Sequence, residues 1–373
     1  MDLKQLLNET LPKDISFSER EQQLVRERVR KKKTPATLKF LPLAALLFIG
    51  VIGYALFTSF TESTASPFTS HEEVIVPDTY QSALHWSVYV PETHELIFAK
   101  EDGAYSYSID EKFTEKIANF ASLGQFNFVA NDKWFVWGDF DNEDYTLNIL
   151  NRNNRELTVI PSINPIELTL EGNSLFYSNF YTNDHHYYVM DLKSQKSENI
   201  LLHTSQEFDS MRGHAQDGKA AIMEVFEGIA IVSIYDTLTG KLIQQQSNLP
   251  YTSLYNMYVV EDRVYFDFAT EEGRLELGYM DIQTGAFQMI ETPEYSYSAI
   301  HGNYLALSVV DRWGEDTDDV ELFTIENNKA VPFSDFPKVK GRLVTPQFAP
   351  DGTLQMVEEN YFDGGPTIHL IKP

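Results

Sequence analysis

The chain has 373 residues, a formal net charge of −26 and no cysteine. Without thiols it can form neither disulfides nor thiolate metal sites, and it has no cysteine for a lipid anchor. Residues 1–39 hold 10 Lys+Arg against 6 Asp+Glu, whereas residues 40–373 carry a net charge of −30. An anionic surface of this size repels nucleic acid, so no nucleic-acid partner is expected.

A short basic helix is predicted near the start of the chain. Ser18 and Glu21 have the spacing of a capping box, in which each side chain accepts from the other residue's backbone N–H. The helix would run to about Lys33, and Leu24, Val25 and Val29 give it a narrow apolar stripe. Such a stripe favours docking on a partner protein. The alternative is a basic helix that only orients the chain at the anionic inner leaflet.

An uncharged stretch of 22 residues follows, from Phe40 to Thr61. As a helix it would be roughly 33 Å long, enough to cross a bilayer. The basic residues before it predict a cytoplasmic N-terminus and an outer C-terminal domain. We therefore expect a single-pass membrane protein: cytoplasmic segment 1–39, span 40–61, linker 62–71 and outer domain 72–373. Cleavage at the small residues Ser63-Thr64-Ala65 is the alternative, but the N-terminal region is longer than that of a signal peptide.

The outer domain contains a repeat of about 40–50 residues. Strand-like runs rich in Tyr, Phe, Val and Ile start at Glu95, Lys133, Ser174, Lys219, Arg263, Asn303 and Thr353. Each follows a polar turn and precedes another alternating run, which gives seven units of four short strands. This period is typical of an all-β, seven-bladed β-propeller. A pair of β-sandwiches is the alternative, and the regular spacing argues against it.

The seventh unit ends at Pro373 after its third strand. His71–Pro77 (HEEVIVP) is a strand candidate without another partner. We therefore predict that Glu72–Pro77 pairs in the same blade as Thr367–Lys372, so that both chain ends complete the last blade and two sheet edges are removed.

Two resemblances accompany these patterns. The phrase Phe348-Ala-Pro-Asp-Gly-Thr-Leu is similar to the F-S-P-D-G motif of TolB-like bacterial propellers, with a second copy at residues 215–219, AQDGK. It implies a propeller over residues 72–373 and a bacterial source. The segment NETLPKDISFSEREQQLVRERVRKKK resembles the cytoplasmic segments of membrane-anchored anti-sigma factors of Gram-positive bacteria. That resemblance implies a sigma factor or related regulator as the cytoplasmic partner.

The predicted connections between second and third strands are acidic and rich in aromatic residues. They should emerge on one face, where function is usually found. The residues expected on this acidic face are Asp139, Asp141, Glu143, Asp144, Asp184, Asp316, Asp318, Asp319 and Asp363. Asp139, Asp141 and Glu143 alternate as calcium ligands do, but the Gly at position six and the Glu at position twelve are missing. A solvated acidic turn is the alternative to a cation site there.

No catalytic set is recognisable, since the sequence has no Gly-x-Ser-x-Gly elbow, His-Glu-x-x-His or P-loop. We expect no cofactor. The favoured function is a non-catalytic binding or sensor module that recognises a protein or cell-envelope component and relays its state to a cytoplasmic regulator. The alternative is an envelope enzyme, a lyase or glycosidase with carboxylate catalysts on the acidic face. A purely structural scaffold is the third interpretation.

Overall fold

The structure is a computed structural model. It describes residues 68 and 70–373, apart from gaps at 121–126, 142–143, 163–164, 182–183, 202–210, 227, 248, 252, 311–317, 334–335, 338–341 and 360–365. The expected cytoplasmic segment, the span 40–61 and the helix residues Leu24, Val25 and Val29 lie outside the described residues. Among the residues that are described, no helix has the length and apolar character needed to cross a membrane.

The described chain forms seven antiparallel sheets of four strands each, which confirms the predicted seven-bladed propeller. Each blade has an inner, a second, a third and an outer strand, and in blades 1 to 6 these follow one another in chain order. Blades 1 to 3 are built from β2 (Val88–Val90), β3 (Glu95–Lys100), β4 (Gly103–Ser108), β5 (Phe113–Asn119); β6 (Phe128–Ala130), β7 (Trp134–Asp141), β8 (Asp144–Asn151), β9 (Leu157–Ser162); β10 (Pro165–Glu171), β11 (Ser174–Tyr181), β12 (Asp184–Asp191) and β13 (Lys196–Leu201).

Blades 4 to 7 repeat this arrangement. Their strands are β14 (Met211–Gln216), β15 (Lys219–Phe226), β16 (Ile229–Asp236), β17 (Leu242–Ser247); β18 (Leu254–Val260), β19 (Arg263–Ala269), β20 (Leu275–Asp281), β21 (Phe287–Ile290); β22 (Tyr295–His301), β23 (Tyr304–Val310), β24 (Asp318–Glu326), β25 (Lys329–Pro332); and β26 (Arg342–Phe348), β27 (Leu354–Glu359), β28 (Thr367–Lys372), with β1 (Ser70–Ile75) as the outer strand of blade 7.

Strand β1 closes the ring as the sequence predicts. It pairs antiparallel with β28, with Ser70 opposite Lys372 and Ile75 opposite Thr367. On the side facing blade 1, Glu72 accepts from Lys372 Nζ at 3.1 Å and lies 3.2 Å from His94 Nε2. Burial raises the pKa of Glu72, but the hydrogen bonds from Lys372 and His94 outweigh burial and hold it below its ordinary value.

Described residues that precede position 72 also contact the blades. Phe68 is buried against Tyr304 and Phe333 of blade 6, and β1 starts at Ser70. A four-residue helix, α1 (Gln81–Leu84), then precedes the short inner strand of blade 1. The sequence predicts no helix there, because four residues are too few to show a helical period.

The second strands form the centre of the packing between blades. The runs predicted from sequence become β3, β7, β11, β15, β19, β23 and β27, in each case starting within one residue of the predicted position. Both faces of such a strand are covered by neighbouring blades, which explains the nearly continuous apolar runs. For example, Met223 of β15 lies in one apolar cluster with Phe266 and Phe268 of β19.

Tight turns join the third and outer strands. In Asp236–Gly240 the Oδ1 of Asp236 accepts the backbone N–H and the hydroxyl of Thr239, each at 2.7 Å. Gly240 closes the turn with φ +65°, a conformation that favours glycine. Asp281 and Gly285 repeat the same turn one blade later.

Candidate functional site

The two sides of the ring differ in what they present. At one side, here called the turn face, turns between inner and second strands touch their neighbours: Asn131 Nδ2 donates to the Gly172 carbonyl, and the Glu261 N–H donates to Asp217. At the other side, here called the mouth face, the inner strands begin and the second strands turn into the third strands. Neighbouring inner strands pack side by side.

The inner strands of four blades carry an extra residue close to the mouth face. The ladder shifts between Ile166 and Thr169 in β10, Leu254 and Asn256 in β18, Tyr295 and Tyr297 in β22, and Val344 and Gln347 in β26. Each shift is a β-bulge, a feature that re-aims side chains and is frequent beside functional sites.

Two of these bulges hold residues other than glycine at positive φ. Glu167 has φ +54° and Thr345 has φ +50°. Such a conformation is unusual for any residue and especially for a β-branched one, and strain of this kind concentrates at functional sites. The bulges therefore mark the mouth face as the candidate site.

The bulge in β10 places Glu167 against blade 4. Its Oε1 lies 3.5 Å from Arg212 Nη1, and the backbone N–H of Gly213 also donates to its carboxylate. Burial raises the pKa of Glu167 to about 7, although the Arg212 charge opposes the shift. The side chain of Arg212 stays 47% exposed, so it presents a cation at the mouth face.

A second buried carboxylate lies on the same side of blade 4. Glu224 of β15 is 2% exposed, and burial raises its pKa to about 7. Burial raises the pKa of the Tyr187 phenol, and the negative charges of Glu167 and Glu224 raise it further. Blades 3 and 4 therefore enclose two carboxyl groups that titrate near neutral pH.

Asp267 of β19 is the corresponding buried acid between blades 5 and 6. It accepts from Tyr295 at 2.7 Å and from Ser298 Oγ at 2.6 Å. Burial raises its pKa to about 6, and the two hydroxyl donors limit the rise. Tyr258 donates to the Ser298 carbonyl at 2.8 Å, which extends the network along β22.

Aromatic side chains are exposed at the mouth face. The bulged Tyr255 is 40% exposed, and its ring meets Tyr297 edge-on at 6.3 Å between centroids. Trp86, which precedes the inner strand of blade 1, is 49% exposed. At the end of β7, Phe140 is exposed and contacts Tyr145 at 4.4 Å. Together with Arg212 these residues give a mixed aromatic and cationic surface.

The structure also locates the acidic residues expected from the sequence. Asp139 and Asp141 end β7, Asp144 begins β8, Asp184 begins β12, and Asp318 and Asp319 begin β24, so all six flank connections at the mouth face. Glu143, Asp316 and Asp363 lie outside the described residues. Asp139 belongs to a paired hairpin, opposite Thr146, and not to an open loop. A cation site at Asp139, Asp141 and Glu143 stays a prediction.

Sequence reasoning missed Glu167, Arg212, Glu224 and Asp267. Each is a charged residue within a strand-like run, which was the available signal, and Asp267 stands out in Val264–Phe268 (VYFDF). Glu167 lies in the bulge of β10, and Asp267 meets Tyr295 at the bulge of β22; the sequence marks neither bulge.

Two grooves on the described surface lie away from Arg212 and the three buried acids. One of about 370 Å³ involves Trp134, Asn173 and Gln195 of blades 2 and 3, and one of about 580 Å³ involves Glu276, Met289 and Lys329 of blades 5 and 6. The candidate site is thus the exposed mouth face, and the acids Glu167, Glu224 and Asp267 are buried between the blades beneath it.

Comparison with known proteins shows the fold and no family. No protein-family model matches the sequence, and no curated protein matches it either. Solved structures resemble it at 9–13% identity. They include a chain of the mitotic checkpoint complex (10% identity, TM-score 0.51, 84% of this chain and 95% of that chain). The CNH domain of AfRom2 has 9% identity and a TM-score of 0.50, over 81% of this chain and 99% of that chain.

The β-propeller domain of Cps50 (Swd1) from Myceliophteria thermophila is similar as well. It has 9% identity and a TM-score of 0.50, covering 77% of this chain and 96% of that chain. Identities this low show that the fold is shared and carry nothing about activity.

Proposed function

We propose that this chain is a non-catalytic binding module that recognises a protein partner through the mouth face of its propeller. The observation that carries the proposal is the bulge in β18, which holds Tyr255 40% exposed at the mouth. Arg212, which is 47% exposed, lies near the start of β14, the inner strand that packs beside β18. Tyr, Trp and Arg are the residues that most often dominate the binding energy of protein interfaces.

The experiment places a photoreactive amino acid at Tyr255 in the full chain and irradiates cells of the native host. We expect a discrete protein adduct whose yield falls when Trp86 is changed to Ala. The matched control position is Leu238, which is 87% exposed in a turn at the opposite side of the ring. Equal adducts from both positions, or none from position 255, would contradict the proposal.

The proposal includes the anchor and the relay predicted from the sequence. Residues 40–61 would hold the chain in the cell membrane with the propeller outside. The helix with Leu24, Val25 and Val29 would contact a cytoplasmic regulator, namely a sigma factor. The support is the charge distribution around the apolar stretch and the resemblance to anti-sigma segments. Leu24→Asp should abolish a cytoplasmic partner and leave topology intact. Crosslinking from positions 24–29 that reaches lipid alone would exclude the relay.

An envelope lyase or glycosidase is the second candidate, and one observation favours it. Glu167 and Glu224 have pKa values raised to about 7, as a general acid requires. Both are buried between blades 3 and 4, and neither lines the two grooves described above. Turnover of an acidic polysaccharide that is lost in Glu224→Gln would establish the enzyme and displace the binding module.

A further inference from the structure

The closing blade gathers two histidines and a glutamate from both ends of the chain. His71 and Glu73 alternate on β1 and therefore share one face of the sheet. In the β1–β28 ladder His369 lies directly opposite Glu73, which places it on the same face. One nitrogen of each histidine and one carboxylate oxygen of Glu73 all lie within 4.8 Å of one another.

The two imidazoles face each other through one nitrogen each, within hydrogen-bond distance. His71 Nε2 lies 2.9 Å from His369 Nδ1, with ring centroids 5.2 Å apart. The other nitrogen of His369, Nε2, lies 3.0 Å from Glu358 Oε2. A carboxylate at that distance accepts from Nε2–H, so the lone pair of a neutral His369 is at Nδ1 and faces His71. A carboxylate that fixes the tautomer of a histidine is the usual outer partner of a metal-ligating imidazole.

We propose that His71, Glu73 and His369 bind one divalent transition-metal ion of zinc's class. The ion would stabilise the pairing of β1 with β28, which closes the ring. Two imidazoles and one carboxylate are a donor set that zinc prefers, whereas calcium and magnesium prefer oxygen ligands alone. Three protein ligands leave the fourth tetrahedral position for water.

The burial of the three residues suits an ion that enters from solvent. His369 is 1% exposed and held by Glu358, while His71 and Glu73 are exposed. Two nitrogens bound to one tetrahedral zinc ion lie about 3.4 Å apart, given Zn–N distances of about 2.0–2.1 Å. The present 2.9 Å separation requires a shift of about half an ångström, which the exposed His71 side chain can make by rotation.

Metal binding would depend on ring closure. The ligands come from β1 and β28, and His71 and His369 are 298 positions apart in sequence. In the unfolded chain they are not held together, so the ion binds the folded state and stabilises it. This role concerns the outer strand of blade 7 and is independent of the function of the mouth face.

The test uses the untagged full chain, freed of metal with a chelator and then titrated with Zn²⁺. We expect one ion per chain and a melting temperature that rises by about 4 °C when free zinc is about one hundred times its dissociation constant. Equimolar Ca²⁺ or Mg²⁺ should leave the melting temperature unchanged. Bound Co²⁺ should give the visible absorption bands of a tetrahedral site.

Exposed ligands provide the variants, because their substitution leaves the buried packing intact. His71→Ala and Glu73→Gln should each remove the zinc-dependent rise and the cobalt bands, and Glu358→Gln should weaken zinc binding by about 10–100-fold. Glu72→Gln is the matched control, since Glu72 is on the same strand but on its opposite face, and it should keep the zinc response. Absence of stoichiometric binding, or binding unchanged in His71→Ala, would overturn the proposal.

Discussion

The phenol of Tyr295 donates a hydrogen bond of 2.7 Å to the carboxylate of Asp267, and this contact joins blade 6 to blade 5. Ser298, three residues along the same inner strand, donates to the other carboxylate oxygen. A buried acid thus depends on two hydroxyls from the next blade, and the boundary between the blades is specified by polar as well as apolar contacts.

Removing the Tyr295 hydroxyl should weaken that boundary. Tyr295→Phe leaves the ring in place but removes one donor to a buried carboxylate, so we expect a loss of ~1.5–3 kcal/mol in the free energy of unfolding at neutral pH. Urea denaturation measures it. Tyr304→Phe is the control, because within the described part of the chain its hydroxyl has no hydrogen-bond partner. A loss below about 0.5 kcal/mol in Tyr295→Phe would show that Ser298 alone satisfies Asp267.

Glu224 should make stability depend on pH. Burial raises the pKa of its carboxyl from 4.5 to about 7 in the folded protein, so the folded state binds this proton more tightly than the unfolded chain. That contribution is complete below pH 4.5 and is lost as the pH rises through about 7. At pH 8 the ionised group therefore costs about 3 kcal/mol.

Glu224→Gln removes this cost because the amide cannot ionise. We expect the variant to be more stable than the parent chain at pH 8 by ~3 kcal/mol, and the difference to vanish near pH 4. Unfolding free energies from urea titration at both pH values give the comparison. Glu271→Gln, which changes an exposed glutamate, should shift neither value. Equal effects of Glu224→Gln at the two pH values would refute the assigned titration.

Gly213 should not tolerate a larger side chain. A Cβ built at this position would lie 2.7 Å from Tyr187 Cε1 and 2.8 Å from Phe176 Cζ, and both rings are buried between blades 3 and 4. Gly213→Ala is expected to cost ~1–3 kcal/mol, because either the rings or the strand must shift. Adding Phe176→Leu should recover part of that loss in a double-mutant cycle. Strictly additive effects would indicate that the strand moves and the rings do not.

The sequence predicts much of the fold because each second strand is a continuous apolar run between punctuating turns. The runs from Glu95 and Arg263 appear in the structure as β3 and β19 with the predicted starts. It also predicts that His71–Pro77 closes the last blade, because that strand had no other partner. These features depend on composition and spacing, which a single sequence displays.

The candidate sites depend on register, which a single sequence does not display. Tyr255 reaches the mouth face because β18 carries one extra residue, and no residue type in that run marks the bulge. Likewise, the approach of His71 to His369 follows from the pairing of Glu73 with His369. A shift by one residue would turn these side chains to opposite faces.

The register of the closing strand provides the final prediction. Val74 is 4% exposed and packs with residues of blades 1 and 7, whereas the adjacent Ile75 is 62% exposed on the other face. Val74→Asp places an unpaired charge in the apolar cluster and should cost about 3–5 kcal/mol. Ile75→Asp makes the same chemical change on the solvent side and should change stability by less than about 0.5 kcal/mol. Thermal and urea unfolding of the full chain compare the pair, and the reverse order of the two effects would mean that β1 pairs with β28 in a register shifted by one residue.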